Sequence, residues 1–420
     1  MADTSNWNWE PGEREVVDYG SWKEEHDWVW EPYASPDGET LAAVAQNEEG
    51  EFTMLVNGEP WESAFERIWS IKYSPDNRMV AFGSELGEWK LIVDGEPSEE
   101  SFGFLWDLQF SEDGSAYGSA VQNDMQYCMQ VNGETWEDLY DNANHFLLSP
   151  SGKHSAAVVQ AEPMETANIF QFQQGLYTVA VDGKAWDSRY ENVWHLAFNH
   201  DETMVAAAMR TSPFDYSVAV NGQAWDQVFQ CVWEPVFKPG TNELYAPVRA
   251  GGKWTMAKDG QLFWNGKYIQ CWRPRFNSEG SRLAAIVSPK WGRWTIAVDD
   301  KPWRTTYGDL VDDLTFSPDG GRIGAVGKEN ERWFIFVDDT PWSGDYDMAW
   351  GPVFSPDGSH VAAKVEKGGV YTLLINGREL GEGYQFLENP SFSPDSSKIM
   401  IRGVKNGKYV RTVKPVAEIG

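Results

Sequence analysis

Short stretches in which hydrophobic and polar residues alternate recur along almost the whole chain. Examples are WKLIV at 89–93, YTVAV at 177–181 and WTIAV at 294–298. Alternation with a period of two is typical of a β-strand with one face more buried than the other. Seven Asn-Gly or Asp-Gly pairs follow such stretches, and this dipeptide closes tight hairpins because it accepts positive φ at both central positions. The pattern predicts an all-β protein built from hairpins.

A second turn, of the type [FY]-S-P-D-G, recurs ten times and precedes a short run of small and β-favouring residues, such as LAAVA at 41–45. Successive copies lie 37 to 40 residues apart, except for one gap of 50. The positions that define these spacings are Pro36, Pro75, Glu112, Pro150, His200, Pro239, Ser278, Pro318, Pro356 and Pro394. Four antiparallel strands in about 39 residues make one propeller blade. We therefore expect about ten four-stranded blades.

The two ends of the chain are predicted to share one blade. The tenth unit stops after its third strand, YVRTV at 409–413, where Lys414-Pro415 replaces the hairpin turn. Trp22 precedes Pro36 by 14 residues, as Trp61 precedes Pro75, so a strand near 14–24 is expected to complete the last blade. Pairing of this kind removes an exposed sheet edge. Residues 1–66 hold 17 acidic and 2 basic residues, whereas 398–414 hold six Lys or Arg and no acid, so the ends attract one another.

The fold prediction is one closed β-propeller domain over 1–420. The alternative is two five-bladed rings, which would require a linker and a second strand exchange near the middle of the chain. Units five and six continue at the regular spacing of 39 residues, which favours one ring.

The F-S-P-D-G turn followed by an LAAV-type strand resembles the WD-repeat-like units of TolB-type β-propellers, over nearly the whole chain. The resemblance implies the fold and leaves the function open. The chain departs from TolB, since it shows neither a signal peptide nor TolB's extra α/β domain. In its repeat style and tryptophan content it is also similar to the tryptophan-rich cytoplasmic subunit of the Tmc transmembrane electron-transfer complex. That likeness implies a soluble subunit of a quinone-linked membrane redox complex.

Nineteen of the 23 tryptophans occupy three positions of the repeat. Eight mark the fourth strand and four open the third strand, where packing between blades explains them. The remaining seven precede each turn by six residues and are predicted to lie near the rim of the central opening, either packed or gripping a partner or ligand. These are Trp30, Trp69, Trp106, Trp194, Trp233, Trp272 and Trp350.

The long gap places an insertion at 160–175 on the same rim. Phe170 and Phe172 alternate there with polar neighbours, which is compatible with a longer hairpin or with a docking element. Together with the seven rim tryptophans, these two residues form the candidate partner-binding site.

The charge of the chain narrows the classes of partner. A net charge of −30 argues against nucleic acid, because each phosphate contact needs a Lys or Arg, and against anionic lipid. Basic protein surfaces remain favoured. The first residues carry no signal-peptide pattern, no run of 18 apolar residues occurs, and the three cysteines form no CxxC pair, so we expect a cytoplasmic protein without membrane insertion.

Recognisable active-site chemistry is missing from the sequence. The six histidines lie without metal-ligand spacing, and there is no GxSxG, P-loop or dinucleotide-binding motif. We therefore expect no enzyme activity, no metal and no cofactor, and we interpret the protein as an acidic interaction subunit that docks on a basic partner. A propeller that binds a small molecule or glycan at a Trp-lined rim is the alternative, and a hydrolase or lyase with its site in the central channel is the least favoured interpretation.

Overall fold

The protein is seen in a computed structural model that describes residues 4–163 and 169–419. Within these residues the strands form ten antiparallel sheets, one for each copy of the repeat. The helical segments are two short α-helices, Tyr19–Glu25 and Ile169–Gln173, and a 3-10 turn, Val416–Glu418.

The strands of blades 1 to 5 are, in order from first to fourth, Tyr33–Ala34, Leu41–Gln46, Phe52–Val56 and Glu59–Pro60; Arg67–Tyr73, Met79–Glu85, Glu88–Val93 and Glu96–Pro97; Phe104–Phe110, Tyr117–Asn123, Gln126–Val131 and Glu134–Thr135; Ala143–Leu148, Ser155–Gln160, Tyr177–Val181 and Lys184–Ala185; Asn192–Phe198, Val205–Ser212, Asp215–Val220 and Gln223–Ala224.

Blades 6, 9 and 10 have a first strand in two pieces. The strands of blades 6 to 10 are Cys231–Val232 with Val236–Phe237, Leu244–Ala250, Lys253–Lys258 and Gln261–Leu262; Gln270–Phe276, Leu283–Lys290, Arg293–Val298 and Lys301–Pro302; Leu310–Phe316, Ile323–Glu329, Arg332–Val337 and Thr340–Pro341; Met348–Ala349 with Val353–Phe354, Val361–Lys367, Val370–Ile375 and Arg378–Glu379; Phe386–Leu387 with Ser391–Phe392, Lys398–Lys405, Lys408–Pro415 and Gly12–Asp18.

The core lies between neighbouring blades. Second strands carry small and β-branched residues, and in Leu41–Gln46 five of the six side chains are buried. Apolar clusters join each blade to the next: Ala206 and Ala208 of blade 5 pack with Val232 and Leu244 of blade 6. Burial on both faces fits strands sandwiched between two sheets. Blades 5 and 6 therefore meet like any other pair, with no break in the middle of the chain.

Blade 10 closes the ring on blade 1. Leu41 and Ala43 of blade 1 share one cluster with Val404 and Tyr409 of blade 10. The ten sheets form a single ring, which confirms the predicted ten-bladed propeller, and the alternative of two five-bladed rings is wrong.

The N-terminal segment differs from the expected strand near 14–24. The strand runs over Gly12–Asp18 and pairs antiparallel with Lys408–Pro415, and it is followed by the helix Tyr19–Glu25. Asp18 caps this helix by accepting the Ser21 N–H at 3.3 Å. The chain turns into a helix here because it must leave the outer edge of blade 10 and cross to the first strand of blade 1. Trp22 is consequently a helical residue.

Each blade presents two kinds of edge, because its strands are antiparallel. The turns from first to second and from third to fourth strand lie on one side, here called the lower face. The loops from second to third strand and the connections between blades lie on the other side, the upper face.

The aspartates of the Ser-Pro-Asp-Gly turns form local hydrogen bonds. The Asp113 carboxylate accepts from the Ser115 N–H at 2.9 Å and from the Ser111 hydroxyl at 2.7 Å. These bonds lower its pKa to about 2.

Candidate interaction face

The predicted rim tryptophans lie in or just before the first strands, in the half nearest the upper face. Their rings pack against the aromatic residue that opens the third strand of the same blade. Trp272 stacks on Trp294 with centroids 4.5 Å apart, and Trp233 stacks on Trp254 at 5.7 Å. Trp30 is the most open, with 37% of its surface exposed, and the other six are partly buried. Packing within the blade accounts for most of this set.

Phe170 and Phe172, the two candidate residues of the insertion, lie on the helix Ile169–Gln173. Residues 164–168 of the insertion fall outside the described residues. Phe170 is 73% exposed and Phe172 is partly buried. The alternating pattern suggested an extended hairpin here, but the segment that is described is helical. Trp30 and Phe170 are thus the two exposed members of the predicted nine.

In six blades the residue that follows the rim position has a backbone conformation that was not predicted from the sequence. First strands of neighbouring blades lie against one another, so they are innermost and line the central opening. Six of the described first strands contain a register shift that begins at this residue, where φ lies between 50° and 54°. The residues with this backbone are Ser70, Asp107, His145, His195, Arg273 and Asp313. β-Bulges of this kind re-aim side chains.

The bulge residues of blades 4, 5, 7 and 8, with Glu234 at the equivalent position of blade 6, make a polar arc. His145 and His195 have ring centroids 6.2 Å apart, and burial lowers the pKa of both imidazoles. The Arg273 N–H donates to Glu234, and its guanidinium pairs with Asp312. The arc therefore contains one ion pair, between Arg273 and Asp312. The only signal of the bulge residues in the sequence was a polar residue in the first strand, after a tryptophan in blades 5 to 7 and after Asn144 or Asp312 in blades 4 and 8, which is typical of a solvated strand position.

The described residues contain no cluster of three or more His, Cys, Asp or Glu side chains arranged to hold a metal ion. Cys231 and Cys271 lie in one apolar cluster with free thiols, and burial raises the pKa of both. Raised pKa values keep these thiols protonated, which makes them poor nucleophiles.

The most exposed apolar side chains lie elsewhere on the upper face, at the tips of the second-to-third-strand loops. Consecutive blades 2, 3, 4 and 5 carry Leu86 (89% exposed), Met125 (80%), Phe170 (73%) and Phe214 (83%). Blade 7 carries Trp291 at the same position. Blades 6 and 9 have glycine pairs there, and blade 1 has Glu48-Glu49-Gly50. The four side chains of blades 2 to 5 are called the apolar arc below.

Aromatic rings continue this apolar character toward the centre of blades 2 to 4. Phe104, itself 37% exposed, lies 5.3 Å from Trp69, 5.6 Å from Trp89 and 5.8 Å from Trp106 by ring centroids. Trp106 in turn meets Phe146 of blade 4 at 5.7 Å. The upper face is therefore more apolar over these blades than over the acidic tip of blade 1.

No helix among the described residues has the length and apolar character to cross a bilayer. No family model matches the chain, and no curated protein matches it either.

Solved structures resemble the chain at low sequence identity. A crystal structure of the eukaryotic initiation factor is 12% identical and covers 78% of this chain and 90% of its own, with a TM-score of 0.47. TolB from Acinetobacter baumannii is 15% identical, with coverages of 73% and 78% and a TM-score of 0.30. The Dos1 propeller is 11% identical, with coverages of 96% and 95% and a TM-score of 0.35. The ten blades fit the WD-repeat-like, TolB-type propeller predicted from the repeat.

Proposed function

We propose that the protein is a non-catalytic interaction subunit that docks on a basic protein partner through its upper face. The observation that carries this proposal is the apolar arc, formed by Leu86, Met125, Phe170 and Phe214 on four consecutive blades. Single exposed apolar residues are normal on protein surfaces, but neighbouring ones concentrated on one side mark interaction sites. A rigid ring that presents its loops in sequence suits such a role.

Charge around the arc favours a basic partner. Leu86 lies between Glu85 and Glu88, and Asp124 and Asp215 adjoin the tips of blades 3 and 5. The chain as a whole carries −30. Acidic rims of this type accelerate association with positively charged surfaces, and the acceleration falls as salt screens the charges. Binding should therefore combine an apolar contact with strong dependence on ionic strength.

The experiment is affinity capture with purified protein from the soluble and membrane fractions of the source cells, read by quantitative mass spectrometry. The arc variant carries Leu86→Ser, Met125→Ser and Phe214→Ser. A control variant carries Leu262→Ser and Trp291→Ser, which are also exposed but lie outside the arc. A protein that docks on the apolar arc should be captured by the wild type and the control variant but not by the arc variant. High salt should release it from the captured complex. Equal capture by the two variants would reject the arc as the docking site.

A more specific form of the proposal makes the partner a subunit of a membrane redox complex. Its support is the tryptophan-rich repeat and the acidic charge. Cytoplasmic loops of membrane proteins are enriched in Lys and Arg, which complements this surface. The membrane fraction of the same capture experiment tests it, because haem or iron–sulfur subunits should then be enriched with the wild type and the control variant.

A further inference from the structure

A cleft of about 360 Å³ lies on the upper face where the ring closes. Three blades and the N-terminal helix build it. Blade 1 contributes the segment 29–32, blade 9 contributes Tyr371, and blade 10 contributes Gln385 and Phe386. The helix adds Tyr19 and Lys23. The cleft exists only because the N-terminal segment crosses from the last blade to the first.

The cleft combines aromatic rings with one carboxylate. Trp30, Tyr19, Tyr371 and Phe386 line it, and Glu31 lies among them. Tyr19 is fixed by donating its hydroxyl hydrogen to the Trp30 carbonyl at 2.9 Å. Trp30 is itself held at 5.8 Å from Phe52 by ring centroids. The lining is therefore positioned by one hydrogen bond within it and by packing of Trp30 on Phe52, outside it.

The Glu31 carboxylate is left without a counter-ion. Among residues 4–163 and 169–419 no Lys or Arg forms an ion pair with it, and Glu31 is exposed. Its charge acts on the hydroxyl groups of the neighbouring tyrosines. Burial raises the pKa of Tyr19 to about 12 and raises the pKa of Tyr33 and Tyr371, and the Glu31 charge adds to each shift, after the larger effect of Glu366 in the case of Tyr371. Glu31 therefore places one negative charge in the cleft beside the aromatic rings.

The chain already places its own ammonium groups on aromatic rings around this cleft. Lys23 Nζ lies 4.8 Å from the centroid of Tyr19. Lys364 Nζ lies 4.1 Å from that of Trp350 and 5.9 Å from that of Tyr371. Lys364 is held by the Leu387 carbonyl, 3.1 Å away. An ammonium over an aromatic face is attracted by the ring quadrupole, most strongly where water is excluded.

We propose that this cleft is a binding site for an alkylammonium group, which would sit against Trp30, Tyr371 and Phe386 with its charge facing Glu31. Aromatic rings with one carboxylate form the type of cage that recognises alkylated ammonium ions. A neutral molecule would gain the apolar contacts but not the electrostatic attraction. The group has two sources, a free small amine or a lysine side chain of a protein. The site does not depend on docking at the apolar arc, which lies on other blades.

Isothermal titration calorimetry on the full chain at constant ionic strength tests the proposal, with choline and its neutral carbon isostere dimethylbutanol as matched probes. A short peptide with one trimethyllysine forms a third arm, and tighter binding of this peptide than of choline assigns the site to protein-borne lysine. We expect saturable binding of choline with one site per chain and at least about tenfold weaker binding of the isostere. Equal binding of choline and the isostere, or no saturation by either cation, overturns the proposal.

Variants separate the cleft from the general attraction of cations by an acidic protein. Glu31→Gln should weaken choline binding by about tenfold. Glu49→Gln, an exposed tip of the same blade, removes the same charge and should change binding less than about twofold. Removal of the competing ammonium in Lys23→Gln should strengthen binding. Equal effects of Glu31→Gln and Glu49→Gln would show that choline responds to net charge alone and would overturn the assignment.

Discussion

At the residue scale, the second position of most third-to-fourth-strand turns combines a positive φ with a close neighbour from the preceding blade. A Cβ added to Gly183 would lie 3.0 Å from the Cβ of Trp136. Gly95, Gly222, Gly260 and Gly377 meet Trp61, Trp186, Trp225 and Trp342 in the same way. Even Trp22, on its helix, lies over Gly58. The fourth-strand tryptophan and the turn glycine are thus one packing unit shared by two blades.

Blades 2 and 3 supply a matched exception. Ser98 takes the place of the tryptophan in blade 2, and Gly133 in the turn of blade 3 has no atom within 4 Å of an added Cβ. We predict that Gly133→Ala costs about 1 kcal/mol from backbone strain alone. Gly183→Ala should cost a further 1–3 kcal/mol, roughly the penalty for overpacking against Trp136. Urea unfolding measures both, and equal losses would contradict this packing role.

In blades 7 and 8 an aspartate takes the place of glycine at this positive-φ turn position. Asp339 adopts φ of 62°, and its carboxylate accepts the backbone N–H groups of Arg304 and Thr305 at 3.0 and 2.8 Å. Asp300 binds the N–H of Asn265 in the same manner at 2.7 Å. Hydrogen bonds to the preceding blade thereby offset a strained backbone. The glycine turns are recognisable from their Asn-Gly and Asp-Gly pairs, whereas the Asp-Asp pairs at 299–300 and 338–339 carry no comparable signal.

The aspartates of the lower-face turns predict how stability depends on pH. Their hydrogen bonds hold the pKa of Asp113 and Asp395 at about 2, below the ordinary 3.8. A depressed pKa contributes stability that is present above about pH 4 and is lost as pH falls toward 2. We expect Asp395→Asn to lower the thermal midpoint at pH 7, and the difference from wild type to shrink between pH 4 and 2. A difference that stays constant over this range would contradict the assignment.

At the element scale, the strand pair that closes the ring depends on two arginines of blade 10. Arg411, which is buried, donates from Nε to the Asp37 carbonyl at 2.8 Å and also binds the Asn8 carbonyl. Arg402 donates to the carbonyls of Ser35 and Pro36 at 2.9 and 2.7 Å. These are turn carbonyls of blade 1, so the basic C-terminal segment binds backbone as well as acidic side chains.

Arg411→Met should therefore destabilise the protein by about 2–4 kcal/mol, because it removes the buried guanidinium that donates to the Asp37 and Asn8 carbonyls. Lys408→Met is the matched control, since Lys408 pairs with Glu15 at the exposed surface of the same strand. We expect no measurable loss for the control. Hydrogen exchange should show lower protection of Gly12–Asp18 in Arg411→Met alone. Similar exchange in both variants would show that net charge, and not these hydrogen bonds, holds the strand.

Elements were predictable where each repeat carries its own pattern. The ten Ser-Pro-Asp-Gly-type turns and the alternating third strands located the ten blades, because these depend on local φ and on period-two burial. The helix Tyr19–Glu25 was missed because Trp22 has the spacing of a fourth-strand tryptophan. The inner bulges were missed because non-glycine residues such as His145 and His195 take positive φ there only under tertiary constraint. The exposed tips Leu86, Met125 and Phe214 were missed because a two-residue loop accepts apolar residues or glycine alike, whereas Phe170 in the long insertion was predicted as a candidate residue.

At the scale of the whole molecule, the ring distributes charge unevenly. Half of the net charge of −30 resides in residues 1–66, beside the basic strands of blade 10. Self-repulsion of like charges opposes the compact state and is screened by salt. We predict that the thermal midpoint rises between low salt and about 0.5 M sodium chloride, the range over which screening shortens to a few ångströms. A falling midpoint, measured by circular dichroism, would show that the ion pairs at the seam dominate.

The most direct test of the account is a cross-link between the chain ends. Glu13 and Thr412 face each other in the closing strand pair. With both changed to cysteine, mild oxidation should give an intramolecular disulfide, identified by mass spectrometry of the linked peptides. Two five-bladed rings would instead bring Glu13 to the outer strand of blade 5, so Glu13→Cys with Gln223→Cys is the comparison. A disulfide in the first pair and none in the second is the predicted result, and the reverse would contradict the single closed ring.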